Sequence, residues 1–304
     1  TIFSQITDLG NPISWNGKLS NIHIPTEIMP SFDRSQIDAE DLINDALKDR
    51  PWRFGFKYDV NLTTKNSGVW TNLPNGDKLW QLSIECNNAL TINLLLENYD
   101  LPKGASLYLY DIDKTNKVGA YTSRNNRKDG ELGTELVHGE KIIVEYYEPA
   151  SVETSGYFKI ANVIHGYRNL SQVQDNFLRA LNSSGDCNID VNCPLGIGWD
   201  NEIRSVAMIV VGGSGICTGA LINNTCNDGT PYFLTANHCL GGSTGSWAFR
   251  FNWESPPGTE SCATTVGSVD PGPPYDQTAN GATTLVSAAA SDFALLQINN
   301  MTLS

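Results

Sequence analysis

From Ser183 to its end the sequence has no lysine and only two arginines, Arg204 and Arg250; the other 18 of its 20 basic residues lie earlier. A break in composition of that size marks a domain boundary, and 304 residues suit about two domains. No apolar run approaches the roughly 18 residues of a membrane helix, so no membrane partner is expected. A net charge of −13 excludes a phosphate-neutralising surface, and with it nucleic acid as a partner. No signal peptide precedes Thr1-Ile2-Phe3-Ser4; either a leader has been removed or the numbering starts at a processed end. None of the seven cysteines forms a C-x-x-C pair, which argues against a zinc ribbon or a redox motif. No metal and no cofactor is expected. Six of the seven lie after residue 186, and disulfides in an exported protein are the better reading. An odd total leaves at least one thiol free or paired outside the chain.

Residues 1–50 carry one short helix around Ser35–Leu47. Ser35 or Asp38 is its expected N-cap, with acids in the first turn, and Leu42, Ile43, Ala46 and Leu47 form an apolar stripe suited to packing. Residues 51–168 have β texture. Leu79-Trp80-Gln81-Leu82-Ser83-Ile84-Glu85-Cys86 alternates, with Trp80, Leu82, Ile84 and Cys86 on one face. Further strands are read at 58–63, 90–96, 106–110, 141–147 and 157–164, separated by turn clusters such as Pro74-Asn75-Gly76-Asp77. Short strands at this spacing predict an antiparallel sandwich. Residues 169–182 read as a linker, and 183–304 as a second β domain.

The second domain centres on Tyr232-Phe233-Leu234-Thr235-Ala236-Asn237-His238-Cys239, an apolar run that ends in a histidine and a cysteine. Upstream stands Gly213-Ser214-Gly215-Ile216-Cys217, and the Asn- and Gly-rich stretch 223–229 lies between. This pattern reads as strand, turn, strand, and a Cys217–Cys239 disulfide would close the hairpin and hold His238 at its rim. Serine-based acyl transfer needs an imidazole to take the hydroxyl proton and a carboxylate to fix its tautomer. His238 is the candidate base. Asp292, which opens the apolar run Phe293-Ala294-Leu295-Leu296, is the candidate carboxylate.

These residues resemble the histidine segment of chymotrypsin-fold serine proteases, where Gly-Ser-Gly-x-Cys precedes Thr-Ala-x-His-Cys. The run Cys187-Asn188-Ile189-Asp190-Val191-Asn192-Cys193-Pro194 resembles the mature N-terminus of the lysyl endopeptidases. Ser67-Gly68-Val69-Trp70, Trp80, Leu101-Pro102-Lys103-Gly104 and Val163-Ile164-His165-Gly166-Tyr167-Arg168 resemble the β-sandwich pro-region of the same family. The resemblance implies an all-β chain: an antiparallel β-sandwich pro-region followed by the first β-barrel of a chymotrypsin-like double barrel. It implies a secreted zymogen that acts on protein or peptide substrates after lysine, with an intramolecular contact between pro-region and protease. It further implies disulfides Cys217–Cys239 and Cys193–Cys262, with Cys187 paired to a cysteine of the second barrel. Cys86 and Cys226 depart from the family pattern.

The family carries its serine in a Gly-x-Ser-Gly-Gly-like segment after the aspartate. Only 12 residues follow Asp292, none in such a segment, so the chain is expected to be cut short and inactive alone. Gly212-Gly213-Ser214-Gly215 looks like a nucleophile turn but precedes the histidine, and is read as structural. One rival reading is an inactive relative whose sandwich binds glycans or surface proteins. Another is a hydrolase that uses His238 with Cys226 or Cys86.

Overall fold

The computed structural model describes residues 10–16, 23–168, 189–255, 277–299 and 301. The linker 169–182, Cys187, Cys262 and the expected Cys193–Cys262 bridge lie outside the described residues. Among those described, the strands form three sheets of six, five and eight strands, and the chain is all-β. Strand pairing is antiparallel apart from Thr26–Ile28, which runs parallel to Lys78–Glu85.

The six- and five-stranded sheets stack face to face. Trp80, Leu82 and Ile84 from one meet Ile92, Leu94, Phe158 and Ile160 from the other in a buried core that also holds Cys86. Period-two alternation sends these side chains inward. The Trp80 indole N–H donates to the Ser67 carbonyl at 2.8 Å. Gly68 sits beneath the same ring at φ +68°, where a Cβ would come within 2.4 Å of it. Only glycine fits both the left-handed backbone and that contact.

The eight-stranded sheet is a half-barrel. Its strand Val206–Val211 is apolar throughout, and both faces are covered. Ala207, Ile209 and Val211 enter the half-barrel core with Phe233, Trp247, Phe249 and Leu296. Met208 and Val210 point the other way and pack with Phe54, Leu95, Leu136 and Ile164 of the sandwich. An uninterrupted apolar run is what a strand buried on both sides requires. The next strand repeats the division. Phe249 and Phe251 line the half-barrel core, whereas Arg250 turns toward the sandwich and pairs with Glu135 at 2.5 Å, both side chains 2% exposed. Asn93 Nδ2 donates to the Gly213 carbonyl at 2.9 Å, and Asn280 Nδ2 to that of Gly133 at 2.7 Å.

The helix near the N-terminus spans Arg34–Leu47, but two of its expected features differ. Its N-cap is Asp33, which accepts from the Gln36 N–H, so no acid falls in the first turn. The stripe Leu42, Ile43 and Leu47 faces solvent, and the helix buries Ile37 and Asp41 instead. The cause is electrostatic. Asp41 accepts from Arg53 Nε at 2.7 Å and from the Tyr167 hydroxyl at 2.7 Å, and pairs with Arg168 at 2.7 Å. Removing a fully buried carboxylate from water is tolerable only with such partners, and that need outweighs burial of three aliphatic side chains. The clamp ties the helix to the two-residue strand Trp52–Arg53, which the sequence reading did not separate from the sandwich. That strand joins the half-barrel sheet, with Arg53 opposite Gly215 and Trp52 opposite Ile216.

Candidate active site

His238 lies in a short 3-10 turn, Asn237–Cys239, directly after the strand Tyr232–Thr235. Asp292 sits at the end of a second 3-10 turn, in left-handed backbone at φ 49°, directly before the strand Phe293–Ile298. These two strands pair antiparallel, with Thr235 opposite Ala294. Continuing that register brings the residues just past Thr235 beside those just before Ala294, so two residues 54 apart in sequence become neighbours. The His238 backbone N–H donates to Asp292 Oδ1 at 2.8 Å, and His238 Nδ1 lies 2.7 Å from Asp292 Oδ2. One carboxylate thus grips both the main chain and the ring. An ionised carboxylate only accepts, so Nδ1 carries the proton and Nε2 keeps a free lone pair. That tautomer can take a proton from a hydroxyl.

The Asp292 carboxyl is held below its ordinary value, first by the hydrogen bond from the His238 ring and next by its backbone N–H. Its side chain is 51% exposed and that of His238 31%. Water and salt therefore reach the pair and weaken it.

The Cys217–Cys239 disulfide is present, with Cα atoms 6.3 Å apart and 22 residues between the ends. It ties the strand Gly215–Ile222 to the residue after His238, and closing such a loop contributes roughly 3 kcal/mol. Cys217, His238 and Cys239 lie within 4.8 Å of one another. The two sulfurs are bonded to each other, so they offer no thiolate to a metal. Ser214 belongs to the tight turn joining the strands Val206–Val211 and Gly215–Ile222, and its carbonyl accepts from the Phe54 N–H at 2.9 Å. Among the described residues no side-chain hydroxyl is hydrogen-bonded to His238.

Cys86 and Cys226 are free. Cys86 is sealed in the sandwich core, and desolvation, with a smaller effect of Glu85, pushes its thiol up to about 12. It holds almost no thiolate at neutral pH, so it is excluded as the nucleophile partner of His238. Cys226 stands in the exposed loop before the histidine strand.

A cavity of about 300 Å³ opens beside His238. Ile216, Thr218 and Ala236 of the half-barrel form one wall, and Lys48, Arg50, Pro51 and Trp52 form the other. Sequence reasoning missed this second wall. The strand that delivers it is two residues long and carries no period.

Residues 181–304 match the family model of the lysyl endopeptidase C-terminal domain. Through this part the chain belongs to the lysyl endopeptidase family. A lysyl endopeptidase of Pseudomonas aeruginosa is 24% identical over 194 residues, which cover 60% of this chain and 41% of that relative. The chain therefore spans well under half the length of the curated relative it matches. Among the described residues no helix is long and apolar enough to cross a membrane.

Proposed function

We propose that this chain is the pro-region and first catalytic half of a secreted serine endopeptidase of the lysyl endopeptidase type. His238 is the general base, and Asp292 fixes its tautomer and stabilises the imidazolium that forms. A serine beyond Ser304 is the nucleophile; it attacks the scissile carbonyl as its proton passes to His238 Nε2. The sandwich, residues 51–168, is the pro-region, and cleavage follows lysine. One observation carries this reading: the Asp292 carboxylate holds His238 by ring and backbone together, at 2.7 and 2.8 Å.

The test uses the longest secreted form of the protein. A fluorophosphonate probe should label one serine, mapped by mass spectrometry, and His238→Ala should abolish the labelling. The same form should hydrolyse lysyl peptide amides in preference to arginyl ones. Labelling that survives His238→Ala would remove His238 from the mechanism. A secreted form that neither labels nor hydrolyses would leave the sandwich as a binding module.

A further inference from the structure

The strand Gly215–Ile222 has two edges. One is taken along residues 215–220 by Val206–Val211. The other is shared: Tyr232–Thr235 pairs with residues 220–222, and Trp52–Arg53 pairs antiparallel with Gly215 and Ile216. Ile216 is followed by Cys217, which is bonded to Cys239 beside His238. Any extended chain on this edge therefore runs past the histidine. Adding a strand to a sheet edge is a general way of holding a polypeptide, because main-chain hydrogen bonds grip it whatever its sequence. Here the chain's own residues occupy that edge.

We propose that residues 48–53 form a tethered, substrate-like inhibitor that occupies the polypeptide-binding edge beside His238. The proposal rests on the reading of His238 and Asp292 as the catalytic pair. Lys48, Arg50, Pro51 and Trp52 share the His238 cavity. Asp49 lies close by: its carboxyl is held below its ordinary value chiefly by the Arg50 hydrogen bond, and least by the charge of His238 and its own backbone. Pro51 lies flat on the sheet, since a Cβ built on Gly215 would come within 2.7 Å of the Pro51 Cβ. Pro51 also has no N–H, so the Arg50–Pro51 bond is a tertiary amide in a ring-locked chain. A segment of that kind fits the cleft and resists being cut there.

The segment is fixed at its downstream end. Arg53 donates to Asp41 at 2.7 Å and to Glu40 and the Ile37 carbonyl at 3.1 and 3.2 Å. The Arg168 guanidinium stacks 5.0 Å from the Trp52 ring. Phe54, the next residue, is fully buried between sandwich and half-barrel. The tether makes occupancy intramolecular, equivalent to roughly millimolar free peptide, so ordinary substrates compete poorly until the pro-region is removed.

Two variants loosen the segment from opposite sides. Gly215→Ala pushes Pro51 off the sheet without altering the strap, and Trp52→Ala removes the side chain under Arg168. In the unprocessed secreted form, each should raise the rate at which diethyl pyrocarbonate modifies His238 about fivefold or more, read by peptide mass. Buried His165 serves as the control for intact folding. The unsubstituted form should react at His238 more slowly than a free histidine peptide. An unprotected His238 in the unsubstituted form, or an unchanged rate in a variant with His165 still protected, overturns the proposal. Peptide hydrolysis then separates the two readings. Unmasked precursor should gain about tenfold or more in activity, approaching the processed enzyme. Active processed enzyme beside an inert, unmasked precursor refutes the inhibitor. Unmasking with no hydrolysis by any form refutes the catalytic pair and leaves the strap in place.

Discussion

The sandwich and the half-barrel are both antiparallel β structures, yet they close their cores differently. The sandwich core lies between its own two sheets, from Trp80, Leu82 and Ile84 to Phe158 and Ile160, and needs nothing from the half-barrel. The half-barrel keeps one core of its own and shares a second, in which Met208, Val210 and Ile216 pack on Phe54, Leu95 and Ile164 of the sandwich. One of its two arginines, Arg250, is used in that seam against Glu135. Leu195, Ile197 and Trp199 remain exposed near its start. The sandwich is a template that stands by itself, and the half-barrel is built against it.

Four substitutions or conditions should sharpen or break that asymmetry. Trp80→Ala opens a hole in the self-contained core and should cost about 3–5 kcal/mol, read by denaturant unfolding. It should carry the half-barrel with it, as seen by lost amide protection at Ile209 and Phe249. Glu135→Ala leaves Arg250 buried without its partner, a loss of about 3–5 kcal/mol at the top of the expected range. Here the effect should be one-sided: half-barrel amides exchange faster while Leu82 and Ile160 stay protected. Equal loss in both regions would break the comparison. Cys239→Ala removes the bridge beside His238 and should cost about 2–4 kcal/mol, confined to the half-barrel in the same exchange experiment. The smallest effect is in pH. The Asp292 carboxyl is depressed in the folded chain, so its contribution is complete above the ordinary aspartate value and fades as pH falls through the folded one. The His238 amide proton, bonded to Asp292, should titrate with a midpoint below 3.8. A midpoint at or above that value would mean that the carboxylate does not hold the turn.

Particular residues explain what was legible in the sequence. The alternation through Trp80–Cys86 announced a strand and its inner face, because a half-buried sheet must have that period. The all-apolar strand Val206–Val211 was legible as a strand, but its second covered face was not, since the partner residues lie more than 40 positions away in sequence. The helix Arg34–Leu47 was visible by its period, yet its buried face was misjudged. Nothing local to Asp41 reveals that Arg53, Tyr167 and Arg168 converge on it. His238 stood out through its cysteine neighbour. Asp292 needed the resemblance, because an acid before an apolar strand is common; its hold on both ring and backbone emerges only from strand register. The two-residue strand Trp52–Arg53 left no trace, being too short for any period to show.

The most direct measurement compares kcat/KM for a lysyl peptide amide between the processed secreted enzyme and its Asp292→Asn variant. The amide side chain can present a donor where the carboxylate only accepted, which favours the wrong histidine tautomer. The pair described here predicts a fall of roughly 10⁴-fold, carried mostly by kcat, in a variant that keeps its fold. A fall of less than about tenfold would contradict the assignment of His238 and Asp292 as base and orienter.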